Sequence, residues 1–243
     1  MTARHAARRG SQSGITLIEL LVTMVILSVV TTMLIGAWIS MQRAYAFTSA
    51  KNNATAQARD AIDRISSEVR AAQGVTYSAS PSPGTSTPFY FGGTGHYACD
   101  ANEIVFYSAY NNPNAKLQSG QYGRDQLQLT AIWLDQSGSN PQKTLWWERN
   151  TSGNGLGDPG NRKIKLATNV VNSAAAINRP IFTYMVRNST TGLPSPAATL
   201  GTANVASLLS VQIELVADAN LKHTPTYVDL LTTVEPRNLS SHQ

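Results

Sequence analysis

GITLIELLVTMVILSVVTTMLIGAWISM, residues 14–41, is the stretch that decides how the chain is built. From Ile15 to Met41 it is predominantly apolar, and Glu19 is its only formal charge. As a helix, Ile15 to Trp38 covers roughly 36 Å, enough to cross a hydrocarbon core of about 30 Å. The pattern therefore predicts a transmembrane helix segment over residues 15–41. Leu17, Leu20, Leu21, Val25, Ile26, Leu27, Val29 and Leu34 are expected to form its apolar surface. The fourteen residues ahead of it, MTARHAARRGSQSG, are basic, small and polar, with no acid. Arg4, Arg8 and Arg9 in that leader are expected to hold the N-terminus in the cytoplasm.

Those three arginines also explain much of the charge. The chain of 243 residues has a formal net charge of +5, and three of its positives lie before residue 15. No later run of Lys or Arg tracks a phosphate backbone. Charged residues make up only 14% of the chain while hydrophobic residues make up 42%, which suits a loop-rich β domain and argues against disorder. Cys99 is the single cysteine, so an internal disulfide is excluded and the fold must stand on its core.

Outward from the apolar run the helix is expected to continue. No Pro occurs before Pro81. Ile62, Ile65 and Val69 recur at helical spacing, and Ala58, Ala61 and Ala72 extend the same side. Arg59, Asp60, Asp63, Arg64, Ser67 and Arg70 fall mostly around the other sides, with Asp60 and Arg64 spaced for an i,i+4 pair. Gly74 is the expected stop. Asn52-Asn53 is the weakest point by propensity and the place for a bend. Residues 42–74 thus read as an amphipathic continuation of the helix.

A Ser-, Pro- and Gly-rich connection, residues 78–88, leads into a β-rich domain over residues 75–243. Strand-like runs follow at Glu103–Ala109, Gln126–Leu134, Thr144–Arg149, Lys163–Leu166, Ile181–Val186, Leu208–Val216 and Tyr227–Val234. Alternation places Leu209, Val211, Ile213 and Leu215 on one face. Antiparallel hairpins against a long helix define an α+β fold.

Three readings fit the N-terminus. A secretory signal has an A-x-A site at Ala44-Tyr45-Ala46, but its apolar core is normally 7–15 residues. A plain signal anchor fits length and charge but gives Glu19 no task. The third reading uses every residue. Gly14-Ile15-Thr16-Leu17-Ile18-Glu19 closely resembles the prepilin signature of type IV pilin-like proteins, differing in Ile15, where Phe or Met is commoner. The resemblance implies cleavage between Gly14 and Ile15 by a membrane-embedded prepilin peptidase. It also implies N-methylation of Ile15, and residues 1–14 become a cleaved leader. Glu19 becomes the fifth mature residue, the family's conserved acidic position, where it sets subunit register during assembly. The fold implied is pilin-like, and the run ARDAIDRISSEVRAAQG and the ending Val228–Leu239 resemble W-type minor pilins and J-type pseudopilins.

The implied function is a minor pilin or pseudopilin that initiates or caps a type IV pilus or a type II secretion pseudopilus. The partners implied are other pilin subunits, the prepilin peptidase, an inner-membrane assembly platform and the lipid bilayer. The implied location is the inner membrane, single-pass, and then an extracytoplasmic filament. A competence pilin that binds DNA and a membrane-anchored receptor or enzyme are the alternatives; the lack of basic clusters weighs against the first. No catalytic motif occurs, and no cofactor is expected. His96 and Cys99 lack companions at metal-site spacing, and Asn150–Lys163 lacks the regular acids of a calcium loop and reads as a hairpin loop. Trp133, Trp146 and Trp147 read as core rather than as an exposed patch.

Overall fold

The computed structural model describes residues 16–72, 99–108, 110, 128–152, 156–201, 204–219 and 227–236. Gly14, Ile15, Gly74 and His96 lie outside them. Among the described residues a single α-helix, α1, runs Leu17–Arg70. Eight antiparallel strands follow among the described residues: β1 (Glu103–Ser108), β2 (Gln128–Leu134), β3 (Lys143–Arg149), β4 (Arg162–Val170), β5 (Phe182–Arg187), β6 (Pro194–Ala197), β7 (Leu208–Asp218) and β8 (Tyr227–Val234). The chain divides into two units, residues 1–48 and 49–243.

In the first unit every described residue is exposed. The helix starts with Thr16 as its cap. The Glu19 N–H donates to the Thr16 hydroxyl at 3.4 Å and to the Thr16 carbonyl at 3.0 Å, which satisfies a donor that a helix start otherwise leaves free. The hydroxyls farther along turn inward onto the same helix. Thr23 donates to the Leu20 carbonyl, Ser28 to Val25, Thr31 to Leu27, Thr32 to Ser28 and Ser40 to Gly36, at 2.7–3.0 Å. A polar group with its bond already made costs little in hydrocarbon, so these residues do not interrupt the apolar surface. Helix geometry continues through Asn52 and Asn53.

In the second unit the amphipathic half of α1 packs on the sheet. Ala58, Ala61, Ile62, Ile65, Val69 and Ala72, the stripe expected from the sequence, are all buried in one core with Ile104, Phe106, Ile132, Leu145 and Trp147. α1 ends at Arg70, short of Gln73, because Ala72 leaves the helix to form an antiparallel bridge with Ser108.

The strand order is β1-β2-β3-β4-β7-β5-β6, with β8 on β7. Val211 pairs with both Tyr184 of β5 and Val234 of β8, and Ala217 pairs with both Val170 of β4 and Val228 of β8. β4 and β5 therefore share one side of β7, end to end, and a gap separates them. Asn172 closes that gap. Its buried amide donates to the Glu214 carbonyl at 2.9 Å and accepts from the Val216 N–H at 2.8 Å, standing in for a strand. Asn172→Ala leaves both backbone groups buried without that partner, and we expect a stability loss of about 2 kcal/mol or more in chemical denaturation. An unchanged midpoint would contradict this role.

Three details differ from the sequence reading. β4 is longer than Lys163–Leu166, because Asn169 at φ 58° absorbs a bulge and lets the strand continue to Val170. Asn tolerates that left-handed conformation better than most residues. β6 was not expected, because its Pro194 and Pro196 argue against a strand; it pairs with β5 alone, at the sheet edge where Pro is tolerated. In β7 a register shift opposite Met185 and Val186 puts Leu208 in the core and leaves Leu209 half-buried, while Val211, Ile213 and Leu215 are buried as expected.

Cys99 is buried, and burial pushes its thiol up to about 12. Of Trp133, Trp146 and Trp147, only Trp147 is fully in the core. Trp133 and Trp146 face each other across β2 and β3, half-buried, with the Lys163 ammonium 4.8 and 4.6 Å from their ring centres.

Candidate functional site

The surface of α1 from Thr16 to Thr48 is the first part of the site. Leu17, Leu20, Leu21, Val25, Ile26, Leu27, Val29 and Leu34 are all exposed, Leu17 by 84%. Fully burying one such side chain is worth about 1.5–3 kcal/mol, so a continuous apolar surface of this length demands a non-aqueous partner. Among the described residues α1 alone is long and apolar enough to cross a membrane, with mean hydropathy 2.4 in its best window. Glu19 stands in the first turn of α1, where the positive end of the helix dipole favours an acid. The next charged residue along the chain is Arg43.

The second part fixes the other half of the helix to the sheet. Glu68 lies on the stripe side of α1, three residues past Ile65, and is fully buried. The Arg149 Nη2 reaches both of its carboxylate oxygens, at 2.7 and 2.6 Å. Ser108 Oγ donates to Glu68 Oε2 at 3.1 Å. Arg149 spends its other donors on the Tyr110 carbonyl at 2.6 Å and the Thr130 hydroxyl at 3.3 Å. The cluster thus ties α1 to β1, β2 and β3 through side chains alone. Burial pushes the Glu68 carboxyl up and the Arg149 guanidinium down, against their mutual attraction. Direct contact and the hydrogen bonds around the pair offset part of that burial cost.

Arg64 departs from its expected pairing with Asp60. It stacks over Trp147 instead, with its guanidinium 4.5 Å from the ring centre. An exposed i,i+4 pair is worth about 0.3–0.5 kcal/mol, whereas a desolvated cation–π contact reaches about 2.

Sequence reasoning found Glu19 and the apolar surface. It missed Thr16 as a cap and Glu68 with Arg149 as a lock. A Thr-x-x-Glu spacing at the helix start signals the first. The second is signalled by an acid at a stripe position, although its partner lies 81 residues away and no local pattern identifies it.

Residues 9–35 match the family model described as the prokaryotic N-terminal methylation motif. The motif is that of type IV pilin-like prepilins, the substrates of a prepilin peptidase, and the α+β fold agrees with it. Proteins of this kind are typically structural rather than enzymatic, residing in the inner membrane before they enter a pilus. No curated protein and no solved structure matches the chain.

Proposed function

We propose that the chain is a minor pilin or pseudopilin, a subunit that initiates or caps a filament. In this reading the leader is cut between Gly14 and Ile15, and Ile15 carries the new amine. α1 waits in the inner membrane with its N-terminus in the cytoplasm, then moves into a bundle of like helices. There Glu19 pairs with the Ile15 amine of a neighbour. A subunit docked at the wrong axial offset strands both charges in an apolar bundle, so the correct offset is favoured. The W-type and J-type resemblances of the sequence support the low-copy assignment.

The observation that carries the reading is the apolar surface exposed from Leu17 onward, led by one acid and beginning inside the matched motif. N-terminal sequencing of the membrane-extracted protein tests it. The expected first residue is Ile15. A first residue of Phe47 would identify a secretory signal instead and remove the helix from the mature protein.

A further inference from the structure

We infer that Trp38, Arg43 and Tyr45 form a lipid-headgroup anchor. It fixes the depth of the unassembled subunit so that Glu19 rests at the opposite boundary of the bilayer. The inference deepens the reading above and rests on it.

The geometry begins with spacing. Between Glu19 and Arg43 no charged residue occurs. Glu19 and Trp38 are separated along the axis of α1 by about 28 Å, close to the thickness of a hydrocarbon core of about 30 Å. With Trp38 at one edge of the core, Glu19 falls at the other edge, where its carboxylate reaches water and headgroups. Arg43 then lies about 7 Å beyond Trp38, within the phosphate layer.

The side chains fit those places. Trp38, Met41, Gln42 and Tyr45 follow at i, i+3, i+4 and i+7 and line a single shallow concavity on α1. Trp38 and Tyr45 are 64% and 78% exposed. Each ring has an apolar body and a polar tip, the pairing that places Trp and Tyr at membrane–water interfaces. N-terminal to this face, the hydroxyls of Thr23, Ser28, Thr31 and Thr32 are bonded within the helix, so nothing between Glu19 and Trp38 competes to set the depth. The anchor gives Glu19 its second state. It is solvated while the subunit waits, and it loses that water only when the helix leaves the bilayer for a neighbour.

Cysteine accessibility in right-side-out membrane vesicles tests the depth on the full chain. Thr32→Cys, Gly36→Cys, Ser40→Cys, Gln42→Cys and Ala46→Cys are each exposed to a membrane-impermeant maleimide. The native Cys99 is buried, with its thiol pushed up to about 12, and provides a silent background. We expect Gln42→Cys and Ala46→Cys to label, Ser40→Cys to label slowly, and Gly36→Cys and Thr32→Cys to stay protected. Adding Trp38→Ala lets Ile39 and Met41 sink, and labelling of Ser40→Cys falls about threefold; Trp38→Tyr keeps it. A boundary that Trp38→Ala leaves in place, or one more than a helical turn from Trp38, overturns the anchor. Labelling at every position, Thr32→Cys included, shows that the helix is outside a bilayer and overturns the parent reading as well.

Discussion

Glu68→Ala is expected to lower the stability of the second unit by about 3–5 kcal/mol, the cost of stranding a buried charge. The substitution leaves the Arg149 guanidinium enclosed without its anion, against the Tyr110 carbonyl, the Thr130 hydroxyl and the Trp147 ring. It also removes the acceptor of the Ser108 hydroxyl, which keeps only its bond from the Tyr110 N–H. Glu68→Gln keeps the shape and an acceptor for Ser108 without the charge, and is expected to cost less than Glu68→Ala. The double substitution Glu68→Leu with Arg149→Met removes both charges and is expected to cost less than Glu68→Ala. Urea titration of these variants together with the singles Glu68→Leu and Arg149→Met decides the matter. If the double variant is as unstable as the sum of its singles, the two residues act independently and the lock does not exist.

The pH dependence of this lock has a definite sign. Burial holds the Glu68 carboxyl above its ordinary 4.5 in the folded protein, so the folded state keeps that proton more tightly than the unfolded state. Its contribution is fully present below 4.5 and declines as pH rises through the raised value. Acid therefore does not release α1 by protonating Glu68. A stability loss on acidification that vanished in Glu68→Gln would contradict this.

The second large effect concerns Glu19. Glu19→Ala is expected to leave processing intact while incorporation into filaments falls by about a hundredfold or more. The neighbour's ammonium is left unpaired in an apolar bundle at a cost of about 3–5 kcal/mol, and each 1.4 kcal/mol is tenfold. Quantitative immunoblots of sheared filaments against membrane fractions read the ratio. Equal incorporation of Glu19→Ala and the natural chain would show that Glu19 only caps its own helix.

The sequence made the helix legible because two periodicities of different kinds meet in it. The continuous apolar run and the stripe of Ala58, Ala61, Ile62, Ile65, Val69 and Ala72 each follow from side-chain type and spacing alone. β8 was readable in full, since Tyr227–Val234 combines β-branched and aliphatic residues between turn signals. What stayed hidden depends on distant partners. Leu208 displaces Leu209 from the core only because β5 slips opposite it. Asn172 reads as loop until the gap between β4 and β5 is seen. Glu68 reads as surface by composition, and only Arg149, brought in by β3, makes its burial tolerable. Of the N-terminal site, the residue types and their order were legible. Gly14 and Ile15 lie outside the described residues, and their processing is a matter for experiment.

The intact mass of the subunit recovered from shear-released filaments tests the central electrostatic claim most directly. The expected mass is that of a chain lacking residues 1–14, with or without one methyl group on Ile15, because the proposed partner of Glu19 is a freed backbone nitrogen. Full-length chain beginning at Met1 within assembled filaments would contradict it.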